Sequence, residues 1–248
     1  MTGLRRINTT NVTLKTIETP LGLDAAEAES LLKAAAGEAD LGKRLDHISG
    51  LLLGRPYVEG ALGGGPQLPE QFRIALGAFD CVTFVETVLA LAIARTIEEF
   101  VDTIRRIRYK EGEIDWFCRN HYMVDWTRNN EDRGFIKNLT SGPSAQAKTC
   151  TLGLISGLPE KVASFSYFPT QNRAEVAELF ETGDLMLFVS TKETLDVFHT
   201  GFLSEREGRW LLRHATRTAG AVIDQDLVEF MGQNEMLGFV LLRPLCQR

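Results

Sequence analysis

The chemistry in this chain is most concentrated at Phe79-Asp80-Cys81-Val82-Thr83-Phe84-Val85-Glu86, where a cysteine stands at the start of an amphipathic segment. Asp80 is a good N-cap residue, and Val82, Phe84, Val85, Val88, Leu89, Leu91 and Ala92 follow with no Gly or Pro to break a helix. The spacing predicts that Cys81 is the first helical residue. Unpaired N–H groups and the positive end of the helix dipole favour an anion there, so its thiol pKa is expected below the free value of about 8.5. A buried cysteine acting as a small hydrophobe fits the same segment. A base is needed to decide between the two.

Only four histidines are present, and two of them stand in strand-like segments near the C-terminus. His199 lies in Val197-Phe198-His199-Thr200-Gly201-Phe202-Leu203 and His214 in Arg209-Trp210-Leu211-Leu212-Arg213-His214-Ala215-Thr216. Ser204-Glu205-Arg206-Glu207-Gly208 between them reads as a hairpin turn. In an antiparallel hairpin the two imidazoles can share a face, one serving as base and the other orienting it. Two histidines on a half-exposed sheet with no role fit the same pattern. His47 falls in a helical segment and reads as a surface or packing residue.

The elements around these residues follow a helices-then-strands order. Residues 23–36, capped near Asp24 and broken by Gly37, and residues 41–53 read as helices. Residues 54–69, rich in Gly, form a long loop just before Cys81 and are expected to border the site. Thr96-Ile97-Glu98-Glu99 is a capping box opening a helix with Phe100, Ile104 and Ile107. Tyr122, Asp125 and Trp126 recur at helical spacing, and His121 and Asp125 could pair one turn apart. With Arg119 they make a cluster suited to a sugar ring and a carboxylate; Trp126 as core and Arg119 as a surface ion-pair partner suit the spacing equally. Beyond Asn138 strands are expected around 147–154, 184–190, 197–203, 210–216 and 239–242, interrupted by short helices at 173–180 and 226–231. This is an α+β plan.

These segments resemble a known family, the NlpC-type papain-like cysteine hydrolases of bacterial cell-wall peptides. The closer match is their N-acetylmuramoyl-L-alanine amidase-like branch, long catalogued as a domain of unknown function. The likeness runs through Arg55-Pro56-Tyr57-Val58-Glu59-Gly60, residues 79–94, Arg108-Tyr109-Lys110-Glu111-Gly112, Arg119-Asn120-His121-Tyr122-Met123-Val124-Asp125-Trp126 and Leu195-Asp196-Val197-Phe198-His199-Thr200-Gly201. The more usual His-Val-Gly is here His199-Thr200-Gly201, and residues 150–157 match only loosely. The resemblance implies a papain-like fold with the nucleophile helix packed on a mostly antiparallel sheet. It implies Cys81 as nucleophile, His199 as general base and His214 as the orienting group, with Tyr57 lining the site and helping the Cys81 N–H hold an oxyanion. Asp80, Arg119, Tyr122, Asp125 and Trp126 are the further candidates for substrate contact. The implied reaction is hydrolysis, through a thioester, of the amide joining N-acetylmuramic or anhydromuramic acid to L-alanine. A γ-D-glutamyl endopeptidase, in which Asp80 would bind the free amine of L-alanine, is the nearest alternative. A catalytically silent cell-wall-binding protein is the alternative from another class.

At 248 residues, 44% hydrophobic and 24% charged, the chain is long enough for a sizeable core without disulfides. One domain over 1–248 is expected, with a helical part at 1–55, the nucleophile helix and its followers at 56–135 and the sheet at 145–248. A net charge of −6 and no long basic tract argue against nucleic acid as a partner, whereas muropeptides need no basic face. No apolar run reaches the roughly 20 residues of a membrane span. Residues 1–15 carry Arg5 and Arg6 but no apolar signal core, which fits a cytoplasmic protein or an envelope protein whose export signal has been removed. Cys118, Cys150 and Cys246 lack the paired spacing of zinc ligands, so neither a metal nor another cofactor is expected. With Cys81 a free thiol, those three cysteines leave room for one disulfide at most.

Overall fold

The computed structural model describes residues 20–246; the N-terminal segment with Arg5 and Arg6 lies outside them. The first two helices, α1 (Ala25–Ala35) and α2 (Leu41–Leu51), start where their acidic caps predict. Asp24 accepts from the Glu27 N–H at 3.0 Å and Asp40 from that of Lys43 at 2.8 Å. α3 (Cys81–Ile93) begins at the cysteine, and every residue from Thr83 to Ala92 is buried. A helix that is apolar all round is driven to the middle of the molecule. α4 (Ile97–Arg108) opens with Thr96 accepting from the Glu99 N–H at 3.2 Å, but the Glu99 carboxylate reaches the Arg95 N–H at 2.7 Å. The expected capping box at Thr96 is therefore half formed. The complete one stands at α3, where Asp80 and Thr83 cap each other's N–H at 2.7 and 3.0 Å. α5 (Met123–Asp132) follows a pair of single-turn helices.

The remaining chain builds an antiparallel sheet. Its strands are β1 (Ile136–Asn138), β2 (Gln146–Leu152), β3 (Lys161–Pro169), β4 (Leu185–Val189), β5 (Val197–Arg206), β6 (Arg209–Thr216), β7 (Ala221–Asp226) and β8 (Gly238–Pro244). They lie in the order β2-β3-β8-β4-β5-β6-β7, with β1 pairing to β8. The five expected strands are present, as are the short helices α6 (Arg173–Val176) and α7 (Leu227–Gln233). β1, β3 and β7 come in addition. β4 reads Leu-Met-Leu-Phe-Val and is buried throughout because helices cover both faces. Leu185, Leu187 and Val189 face the core shared with α1 to α4, while Met186 and Phe188 face a second core with Phe230 and Met231 of α7.

α3 is joined to the sheet by Phe84 edge-on to Phe202 of β5, ring centroids 6.1 Å apart. One buried polar network crosses this helical layer. Glu86 of α3 accepts from Arg108 Nε at 2.8 Å and from Trp126 Nε1 at 3.2 Å, and Arg108 Nη1 donates to the Arg73 carbonyl at 2.6 Å. Burial pushes the Glu86 carboxyl up, and the Arg108 charge beside it opposes that push. The plan is α+β, with the cysteine helix packed on an antiparallel sheet.

Candidate active site

Cys81 stands at the first position of α3 because Asp80 closes the preceding turn. Asp80 Oδ1 is held by the Thr83 N–H and by the Thr83 hydroxyl at 2.9 Å, so the carboxylate is fixed beside the thiol. Burial first, and then this carboxylate, push the Cys81 thiol up to about 12; the N–H groups of Thr200, Cys81 and Val82 pull it the other way. The lowering expected from the helix terminus alone is overturned. Partial charges on N–H groups are outweighed by loss of water and by a full negative charge one residue away.

His199 and His214 meet as the hairpin predicts. Glu207 and Gly208 form its tight turn, both with positive φ, 54° and 76°, the geometry that matches strand twist in a two-residue hairpin. Phe202 pairs with Arg213, which sets Gly201 opposite His214 and His199 one diagonal step away on the same face. A Cβ on Gly201 would lie 2.9 Å from the His214 Cβ and 2.8 Å from the Arg213 carbonyl oxygen. The glycine thus leaves the space across which the two rings approach, and His199 Nε2 lies 2.6 Å from His214 Nδ1. A bulge at Phe198 interrupts the pairing with β4, so Phe198 and His199 both line one cavity.

Phe230 of α7 packs on both imidazoles, centroids 5.4 and 5.3 Å away, and Phe188 stacks on His199. This apolar cover disfavours the charged rings. Burial and the neighbouring ring bring His199 down to about 3, and burial brings His214 down to about 4, against the pull of the Gln225 amide and the Asp224 carboxylate. Both imidazoles are therefore neutral near pH 7. With Nε2 of His199 turned to His214, Nδ1 is its remaining ring nitrogen.

The cavity, about 760 Å³, is lined by Cys81, His199 and Tyr57 together with residues of β7 and α7. Tyr57 is brought there by backbone stitching on two sides. Its N–H donates to the Gly220 carbonyl at 2.8 Å, and the Val58 N–H donates to the Phe79 carbonyl at 2.9 Å, one residue before the cap of α3. Burial and the nearby thiol raise the Tyr57 phenol, keeping it a hydrogen-bond donor. Of the loop at 54–69, only Tyr57 reaches this cavity. The cavity also holds Arg217, ion-paired to Glu59, and the polar side chains of Gln225, Glu229 and Gln233. These were missed in the sequence; Gln225 lies on β7, whose polar Asp224-Gln225-Asp226 carries no strand pattern, and only pairing with β6 makes it one.

The other candidates sit elsewhere. Arg119 is largely buried against Glu70 at 3.1 Å and the Gly63 carbonyl at 2.9 Å, with its guanidinium over the Trp116 ring. The Tyr122 hydroxyl accepts from the Leu154 and Ile155 N–H groups. Asp125 pairs with Lys161 instead of His121, whose Nε2 lies 2.8 Å from the Trp116 carbonyl. Trp126 is fully buried, drawn inward by Glu86. Helical spacing sets Tyr122, Asp125 and Trp126 at or within the start of α5, but none of them lines the cavity that holds Cys81. His47 is exposed on α2. All four cysteines are free thiols. Among the described residues no cluster of metal-ligating side chains occurs and no helix is long and apolar enough to cross a membrane.

The AmiA-like family model, described as N-acetylmuramoyl-L-alanine amidase-like, matches residues 47–239. The chain belongs to this family. Cys81, His199 and His214 all fall within the matched span. Among solved structures, an N-acetylmuramoyl-L-alanine amidase from Bacteroides uniformis is similar at a TM-score of 0.75 and 25% identity, covering 83% of this chain and 99% of that one. A protein from Legionella pneumophila is similar at a TM-score of 0.78 and 22% identity, covering 90% of this AmiA-like chain and 96% of its own. No curated protein shows a significant sequence match.

Proposed function

We propose that this AmiA-like chain is a cysteine amidase that hydrolyses the amide between the lactyl group of N-acetylmuramic or anhydromuramic acid and L-alanine of the stem peptide. The observation that carries this reading is the opening of Cys81, at the start of a buried helix, into the cavity where His199 is backed by His214 at 2.6 Å. Membership of an amidase-like family supports the choice of bond.

His199 Nδ1 takes the Cys81 proton, and the thiolate attacks the amide carbonyl. Each charge alone is disfavoured by burial, but the transfer creates opposite charges within one partly buried site, where they attract more strongly than in bulk water. The oxyanion is met by the Cys81 N–H and the Tyr57 hydroxyl. His199 returns the proton to the departing L-alanine amine, leaving a thioester. Water, deprotonated by the same imidazole, then releases the lactyl carboxylate and restores the thiol.

Wild-type protein and Cys81→Ala, incubated with muramoyl peptide, anhydromuramoyl peptide and free stem peptide, test the reading by mass spectrometry of the products. Cysteine-dependent release of the intact stem peptide is the expected result. Cleavage after D-glutamate would instead make it an endopeptidase, and binding of all three without cleavage a silent cell-wall binder.

A further inference from the structure

His214 leaves an unfinished hydrogen-bond requirement. Its Nδ1 faces His199, while its Nε2 is buried with no hydrogen bond of regular geometry. For His199 Nδ1 to accept a proton from Cys81, His199 must carry its own hydrogen on Nε2 and donate it to His214 Nδ1. His214 must then carry hydrogen on Nε2, and that hydrogen needs an acceptor.

Gln225 is the side chain placed to supply one, and its orientation is held from outside. Its Nε2 donates to Gln233 Oε1 at 3.0 Å, and Gln233 Nε2 donates to Glu229 Oε1 at 2.9 Å. A carboxylate can only accept, so it fixes Gln233 with its amide N toward Glu229. Gln233 then offers oxygen to Gln225, which holds the Gln225 amide nitrogen on Gln233 and leaves its oxygen free to accept from His214. Gln225 also acts by hydrogen bonding to favour protonated His214. Gln233 and Glu229 are exposed on α7, so water competes for them and the half-buried Gln225 is the decisive link.

We infer that Gln225 is a positioning residue whose amide oxygen, oriented by Gln233 and Glu229, selects the Nε2–H tautomer of His214 and through it the tautomer of His199 that can take the Cys81 proton. This rests on the roles proposed above for Cys81 and His199, but it is read without substrate. Two-bond ¹H–¹⁵N spectra of histidine-labelled protein at pH 7 report both tautomers, and the rate of Cys81 alkylation by iodoacetamide reports the base. Wild type is expected to show hydrogen on Nε2 of both rings. Gln225→Leu is expected to move His214 toward the Nδ1–H form and to slow alkylation up to about tenfold, what one lost hydrogen bond is worth. Gln225→Glu retains an acceptor and is expected to restore the wild-type tautomers. Hydrogen on Nδ1 of His214 in the wild type would overturn the inference, as would unchanged tautomers and alkylation in a folded Gln225→Leu. Wild-type spectra as expected together with no cleavage of any muropeptide would refute the amidase reading and leave the tautomer assignment standing.

Discussion

Gly201→Ala is the substitution whose effect the geometry fixes most directly. The added Cβ would meet the Arg213 carbonyl oxygen and Leu212 Cδ1 at 2.8 Å and the His214 Cβ at 2.9 Å, so β5 and β6 must part by about 0.5 Å to restore ordinary contact. Overpacking of this kind costs about 1–3 kcal/mol. For a chain of this size each kcal/mol lowers Tm by about 2–4 °C. The same opening takes the His199–His214 contact from 2.6 Å toward the long end of hydrogen-bonding range. Losing most of that bond, worth about 1–1.5 kcal/mol, lowers kcat roughly tenfold with KM unchanged. Steady-state kinetics on the cleaved muropeptide, beside calorimetry, measure both. Ile104→Ala, in the buried face of α4, controls for instability, since it should cost about 2–5 kcal/mol while leaving kcat intact below its melting transition. Wild-type kcat in Gly201→Ala would refute the claim that the glycine exists to let the histidines meet, and equal loss of kcat in Ile104→Ala would show that the assay reads stability.

Cys81→Ala and His199→Ala should each abolish turnover without unfolding the protein, whereas His214→Ala should cost less activity, because water can partly replace an orienting group; equal losses with a melted fold would refute the roles. Acid should destabilise the protein through the same histidines. Their folded pKa values, about 3 and about 4, lie below the free value near 6.5, so the unfolded chain binds more protons as pH falls through that window. By pH 5 this removes about 2 kcal/mol per histidine, and urea midpoints at pH 7 and 5 should differ less in His214→Asn than in wild type. Arg108→Met strands Glu86 in the core and should cost about 3–5 kcal/mol in urea unfolding, part of which Glu86→Gln in the same chain recovers.

The parts of the site legible in the sequence are those whose cause is local. An Asp cap, an unbroken apolar run and a cysteine between them fix the start of α3, and a Glu-Gly turn between two strand patterns brings His199 and His214 together. The spacing around Trp126 suits core and substrate contact equally, for the opposite reason. It defines a helix face but not what that face meets, and a buried carboxylate 40 residues earlier decided that Trp126 points inward. The expected thiol pKa failed, since the helix terminus is local and the burial that overrides it is not.

β7 shows how a segment without pattern can still be placed without ambiguity. Arg213 is buried on β6 and grips Asp224 with two parallel hydrogen bonds, Nε to Oδ1 at 2.6 Å and Nη2 to Oδ2 at 2.7 Å. On its other side Arg213 Nη1 donates to the Asp46 carbonyl at 2.7 Å and to Ser49 Oγ at 3.1 Å, which ties the pair to α2. Adjacent residues of a strand point to opposite faces. Pinning Asp224 toward α2 therefore turns Gln225 to the face of β6 that carries His214. A slip of one residue would exchange them, setting a carboxylate against the histidine pair and leaving Arg213 buried without its partner. The ion pair on the helical side of the sheet thus selects the register on which the cavity side depends, although Arg213 and Asp46 carry no chemistry of their own.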